Sequence, residues 1–285
     1  MLLATGTAKA AEPIQVAWDP DSIPPFPAVA LKALKLIAGT DTSLLELCNL
    51  IRSDHAFSTA ILRIANSPIV AFPKNVTSVL QASMLLGFAR LRSVAITVGL
   101  RAYFNNSFTP LMKLCWRHSV ACAIIAERTA KSSFQDNEFA YTAGILHDLG
   151  RVVLATIMPA AYARVLECGA DQPQDLMQIE RELCGIDHCE AGRSLVTAWN
   201  LPEAFVEITA CHHNLPSHCS KANAIVSASC SLADSLAFGV TRYRSPRSYA
   251  EILLDFPETA RSRFPAEPEE LYSAIALEIK VLESV

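Results

Sequence analysis

The chain has 285 residues, of which 51% are hydrophobic and 18% charged, and its formal charge is −4. That length supplies one large or two ordinary domains, and that composition supplies a sizeable core and excludes a disordered chain. The mild acidity gives no broad basic surface for nucleic acid, and no apolar run reads as long enough to cross a bilayer, so neither nucleic acid nor membrane is an expected partner.

Taken in order, Met1 to Ala11 has a short apolar core with no positive residue before it, so residues 1–17 are expected to be a flexible leader rather than a signal sequence. Trp18 to Pro27 is proline-rich and cannot be helical throughout. Helical spacing runs over 28–39 and stops at Gly39. Thr40 to Ser43 offer caps for a helix over 44–51, and Asp54 caps one that ends at Asn66-Ser67-Pro68. After a loop over 69–76, Ser78 opens a helix that Gly87 breaks, and a further helix covers 88–103. Asn105 to Pro110 is the clearest boundary in the chain.

Beyond it, helices are expected over 111–131, from the Asp136 cap to His147-Asp148, and over 152–158, 160–168 and 173–184. Others run from the Asp187 cap to Ala198, from Pro202 to His212-His213, and over 223–238. The more polar tail carries two more, at 249–254 and 267–282. Trp116 and Trp199 read as core packing, and Arg90 and Arg92 as solvated. No strand alternation is present. The fold class is therefore expected to be all-α: a leader (1–17), an N-terminal multi-helix bundle (18–105) packed on a second helical part (106–240), and a C-terminal helical extension (241–285).

The nine cysteines are odd in number and lack any Cys-x-x-Cys spacing, which points to buried free thiols in a reducing cytoplasm rather than a zinc ribbon or disulfide framework. The histidines are more informative. Two tandems, His147-Asp148 and His212-His213, each follow an apolar run. His118 stands in Trp116-Arg-His-Ser119, and His188 in Gly185-Ile-Asp-His188. Asp234 lies in an otherwise apolar helix, where a carboxylate is costly unless paired or bound to a cation. Imidazole nitrogen and carboxylate oxygen are both ligands for divalent metals. Only His55 and His218 fall outside this set.

The order His118, His147-Asp148, His188, His212-His213, Asp234 resembles the ligand order of the HD superfamily of metal-dependent phosphohydrolases. Within it, Ile23-Pro-Pro-Phe-Pro27, Ile51-Arg-Ser-Asp54, Leu62-Arg-Ile-Ala-Asn-Ser67, Leu85-Leu-Gly-Phe-Ala-Arg-Leu91, Gly144-Ile-Leu-His-Asp-Leu-Gly150, Glu180 to His188 and Trp199-Asn-Leu-Pro202 resemble the HD-related output domain (HDOD) of bacterial signalling proteins, over about residues 20–240. The resemblance implies a helical bundle on an HD-like helical part, acting as an output or scaffolding module on a signalling protein partner in the cytoplasm. It implies a divalent ion (iron, manganese or zinc) on His118, His147, Asp148, His188, His212, His213 and Asp234. Departures separate the chain from the catalytic relatives. Arg151 stands where they have lysine, Asn214-Leu-Pro-Ser-His218 where they have Gly-Tyr-Pro, and Leu114 where some have a bridging glutamate. The expectation is a scaffold with a retained metal site and little or no hydrolysis. The alternative is a metal-dependent phosphohydrolase using Asp148 and Arg151 on a phosphoester such as a cyclic dinucleotide.

Overall fold

The structure is a computed structural model that describes residues 31, 44–68, 70, 72, 75–104, 109–133, 135–168, 176–213, 220–241 and 247–283. The expected leader, the proline-rich entry, nearly all of the 28–39 helix, the 105–108 boundary and the 214–218 departure lie outside the described residues. No strand occurs among the described residues, and the chain is all-helical, as expected.

The N-terminal bundle comprises α1 (Leu44–Arg52), α2 (His55–Ala65) and α3 (Val79–Phe104). Asp54 caps α2 by accepting from the amides of Ala56 and Phe57. Asn66 both ends α2 and fastens the next loop: its side chain donates to Val76 O at 2.8 Å and accepts from Val76 N at 2.8 Å. Gly87 sits inside α3 at φ 74°, ψ 167°, so the helix is two segments across a kink that an L side chain would resist. Contrary to the sequence expectation, Val79–Arg101 reaches the length and hydropathy of a membrane span; 56% of that window is buried inside the protein, as in an ordinary core helix.

The second part comprises α4 (Pro110–Ser132), α5 (Asn137–Leu146), α6 (Leu149–Ile157), α7 (Pro159–Cys168), α8 (Leu176–Cys184), α9 (His188–Ala198), α10 (Glu203–Cys211) and α11 (Lys221–Ala233). Helix α6 begins at Leu149, three residues before the apolar run suggested, because the turn at His147 and Asp148 leads directly into it. The helix expected to run on to Phe238 stops at Ala233; Asp234–Phe238 is a π-helical turn in which Ala237 takes φ 62°. This widening brings Gly239 against the Asp234 carboxylate, where an added Cβ would lie 3.0 Å from Oδ1.

The C-terminal extension, α12 (Tyr249–Leu253), α13 (Glu258–Arg261) and α14 (Pro268–Glu283), folds back on the rest. The short α13 was not legible as a helix. Leu271, Ile275, Ile279 and Leu282 of α14 enter the same apolar core as Leu47 and Ile61 of the bundle and Trp116, Tyr141 and Trp199 of the second part. Arg90 is not solvated, as the sequence suggested: it pairs with Glu278 at 2.8 Å and Glu127 at 3.6 Å. Arg92 likewise pairs with Glu138. Arg128 meets Glu278 at 2.7 Å, so one carboxylate on α14 joins α3 to α4.

Two glycines set the position of the His-Asp turn. A Cβ on Gly144 would lie 2.6 Å from Ala123 Cα, so α5 crosses α4 in backbone contact. A Cβ on Gly150 would lie 1.7 Å from His188 O, so the start of α6 abuts the start of α9. No larger side chain fits at either crossing.

Candidate metal centre

Asp148 is the hub of the pocket. It follows the end of α5, is 2% exposed, and has His118 Nε2 at 3.8 Å, His188 Nε2 at 3.6 Å and His212 Nε2 at 3.9 Å. The chain thus brings together residues from α4, the α5–α6 turn, the start of α9 and the end of α10.

The histidines are oriented alike. His147 Nδ1 lies 2.7 Å from Gly144 O and His212 Nδ1 lies 3.2 Å from Thr209 O. A carbonyl only accepts, so Nδ1 carries the proton in both rings and Nε2 keeps its lone pair. Both Nε2 atoms are buried without a hydrogen-bond partner. His188 Nδ1 lies 2.5 Å from Glu180 Oε2, whereas His118 Nδ1, 3.3 Å from Asp234 Oδ1, has no hydrogen-bond partner; Nε2 of both rings faces Asp148. Carboxylates behind imidazoles are the usual outer support of metal-ligating histidine.

Charge follows position. Burial pushes His118 and His147 down to about 4, and His212 well below its ordinary value, so all three are neutral at pH 7 and fit to coordinate. Burial would raise the Asp148 carboxyl, but Arg151, above all, outweighs it and holds Asp148 well below the usual carboxylate range. Burial and Arg151 would lower His188, yet Glu180 prevails and lifts it to about 10. Asp234 is raised to about 7 by burial, although 35% of its side chain is open to solvent, which favours a smaller rise.

Arg151, three residues after Asp148, dominates the opposite wall. Its Nε lies 2.8 and 2.7 Å from the two Asp148 oxygens. Its terminal nitrogens face Glu180 Oε1 at 3.7 Å, Tyr162 Oη at 3.5 Å and His188 Nε2 at 3.5 Å. Arg151, Asp148, Glu180 and His188 form a buried quartet in which a guanidinium and an imidazole face two carboxylates. A second ion beside His188 would meet this guanidinium.

Three groups of donor atoms lie within 4.8 Å of one another among the described residues: His118, His147 and Cys230; His188, Cys189 and His212; and His147, Asp148 and His212. The group of His147, Asp148 and His212, whose two imidazoles carry the orphaned Nε2 atoms, fits one divalent ion. Asp234 and His213 are in none of these groups. Asp234 stands behind His118, on the far edge of the ring from Asp148, and His213 is exposed, with its ring centroid 4.2 Å from His212 and 5.0 Å from His188. Leu114 is 45% exposed. Sequence reasoning overlooked Glu180, Tyr162, Cys189 and Cys230. Cys230 precedes Asp234 by four residues, one helical turn, and that spacing was a usable signal.

A helical chain whose His-Asp and His-His turns converge on one carboxylate has an HD-like architecture. It belongs to the HDOD domain family, whose model matches residues 23–215. The chain is similar to an uncharacterized protein of Treponema pallidum (strain Nichols), 27% identical over 198 residues; that match covers 69% of this chain but only 38% of the relative. Among solved structures, it resembles an HDOD domain protein of unknown function from Geobacter sulfurreducens, with a TM-score of 0.75, 23% identity and coverage of 93% and 92% of the two chains. It also resembles a protein named as a candidate phosphohydrolase from Shewanella amazonensis SB2B, with a TM-score of 0.69, 21% identity and coverage of 93% and 95%. At these identities the likeness is one of fold.

Proposed function

We propose that this chain is a bacterial signal-transduction output module: a helical scaffold acting in the cytoplasm on a signalling protein partner, with a retained HD-type metal centre and little or no hydrolase activity. The engagement of Arg151 carries this reading. Phosphoester hydrolysis needs a cationic clamp for the developing phosphoryl charge. Arg151 is the residue at the clamp position, and Asp148, Glu180 and Tyr162 already hold it. Turning it toward a substrate would leave two buried carboxylates short of a counter-charge, at a cost of several kcal/mol.

A divalent ion would be held by His147, Asp148 and His212, with His118 beside them; iron, manganese and zinc all suit such donors. When bound, it would supply Lewis acidity and a more acidic water. The chain's own part is to fix the tautomers of His147 and His212 through Gly144 and Thr209 and to hold Asp148 ionised through Arg151.

The other reading is a metal-dependent phosphohydrolase, favoured by the inward-facing Nε2 atoms. The full chain, loaded in turn with manganese, iron(II) and zinc, should bind metal yet give no turnover of cyclic dinucleotides or simple phosphodiesters above background. A robust metal-dependent rate, abolished by Asp148→Ala while the fold stays intact, would overturn the scaffold reading.

A further inference from the structure

We infer that Cys230 is a metal ligand in this pocket, so that a thiolate joins the imidazoles of His118 and His147. The inference rests on the metal-centre reading above. Cys230 lies on α11, is 4% exposed, and its Sγ is 3.5 Å from His118 Nε2, the ring edge turned toward Asp148. Its Sγ and donor atoms of His118 and His147 lie within 4.8 Å of one another. His147 Nε2, fully buried, has no other partner.

The spacing suits coordination. With metal–nitrogen bonds of ~2.0–2.1 Å and metal–sulfur bonds of ~2.3 Å, the nitrogen–sulfur edge of a tetrahedron is about 3.6 Å. The Sγ–Nε2 separation of 3.5 Å already matches it. Asp234, one turn beyond Cys230, lies 3.3 Å from His118 Nδ1, on the ring edge away from Cys230.

Cys189 is a weaker candidate despite similar distances. Its Sγ is 3.6 Å from His188 Nε2 and 3.9 Å from His212 Nδ1. That Nδ1 is directed at Thr209 O, and Arg151 stands 3.5 Å from His188 Nε2. A cation there would face a guanidinium, whereas the Cys230 side faces neutral imidazoles. Burial raises the free Cys230 thiol well above its ordinary value. On coordination its S–H bond breaks, the sulfur–metal bond forms, and the proton leaves to solvent. A thiolate in the set moves selectivity from manganese toward zinc.

Cobalt(II) titration of the metal-free full chain tests this, because cobalt reports its ligands. Visible d–d bands should appear with a near-ultraviolet thiolate-to-cobalt charge-transfer band. Cys230→Ser should abolish that band and weaken binding at least about tenfold, whereas Cys189→Ser should keep both. X-ray absorption on the wild-type zinc protein, which needs no variant to fold, should show one sulfur at ~2.3 Å. A cobalt protein with d–d bands and no charge-transfer band, a band that survives Cys230→Ser, or a zinc shell of nitrogen and oxygen alone overturns the assignment of Cys230 and leaves the metal centre standing. Absence of any cobalt or zinc binding overturns both.

Discussion

Replacing Arg151 with methionine is the sharpest test of how the pocket is held. The substitution keeps much of the side-chain length and removes the positive charge from a site where Arg151 is 7%, Asp148 2% and Glu180 0% exposed. The quartet then keeps two buried carboxylates without their guanidinium, and the Asp148 oxygens lose a donor at 2.7–2.8 Å. Breaking a buried pair by removing one partner costs about 3–5 kcal/mol, and each kcal/mol lowers the melting temperature of a chain this long by roughly 2–4 °C, so a fall of ~6–20 °C is expected. Denaturant unfolding in excess chelator measures it free of any ion. Asp148→Asn combined with Arg151→Met should recover part of the loss, with a coupling energy above ~1 kcal/mol. If Arg151→Met unfolds within about 1 kcal/mol of wild type, the quartet does not hold the pocket and the argument for an engaged Arg151 fails.

Asp148→Ala should lower metal content at least about tenfold by elemental analysis, and should also lower thermal stability, since it strands Arg151. Gly150→Ala places a methyl 1.7 Å from His188 O and should destabilise by ~3 kcal/mol or more, or yield insoluble protein; a wild-type melting curve would contradict the packing described. Burial would raise the Glu278 carboxyl, but Arg90 and Arg128 hold it below its ordinary value, so its contribution is present above the free glutamate value of ~4.3 and is lost as pH falls through the lower folded-state value. Glu278→Gln should therefore be less stable than wild type at pH 7, with the gap closing toward pH 3; a gap constant across that range would refute the linkage.

The fold class was legible because helix caps and apolar spacing are local signals. Asp54, Asp136 and Asp187 all cap the helices their positions implied. The π-helical turn at Asp234–Phe238 was not legible, since its apolar run continues the helical period while the turn is set by packing around Asp234 and Gly239. The histidines were visible as tandems, but their tautomers depend on Gly144 O, Thr209 O and Glu180, which only the fold brings near. Arg151 was visible as a substitution for lysine, and its partner Asp148 lies three residues before it. Its other carboxylate, Glu180, comes from a separate helix, and charge alone gave no sign of that. Arg90 and Arg92 were misjudged for the same reason: their partners lie 188 and 46 residues away, at Glu278 and Glu138.

The quartet changes what an ion can do to this molecule. In a zinc finger, folding waits on the metal because the ligands have no other way to be satisfied. Here Arg151 and His188 already face the two carboxylates, and all four residues come from the stretch 148–188. An ion therefore acts on a finished structure by mass action, adding about 2.7 kcal/mol at a hundred times its dissociation constant. The unfolding transition should stay cooperative in chelator and move upward smoothly as metal is added, so the melting temperature becomes a gauge of ion supply rather than a condition of having a fold.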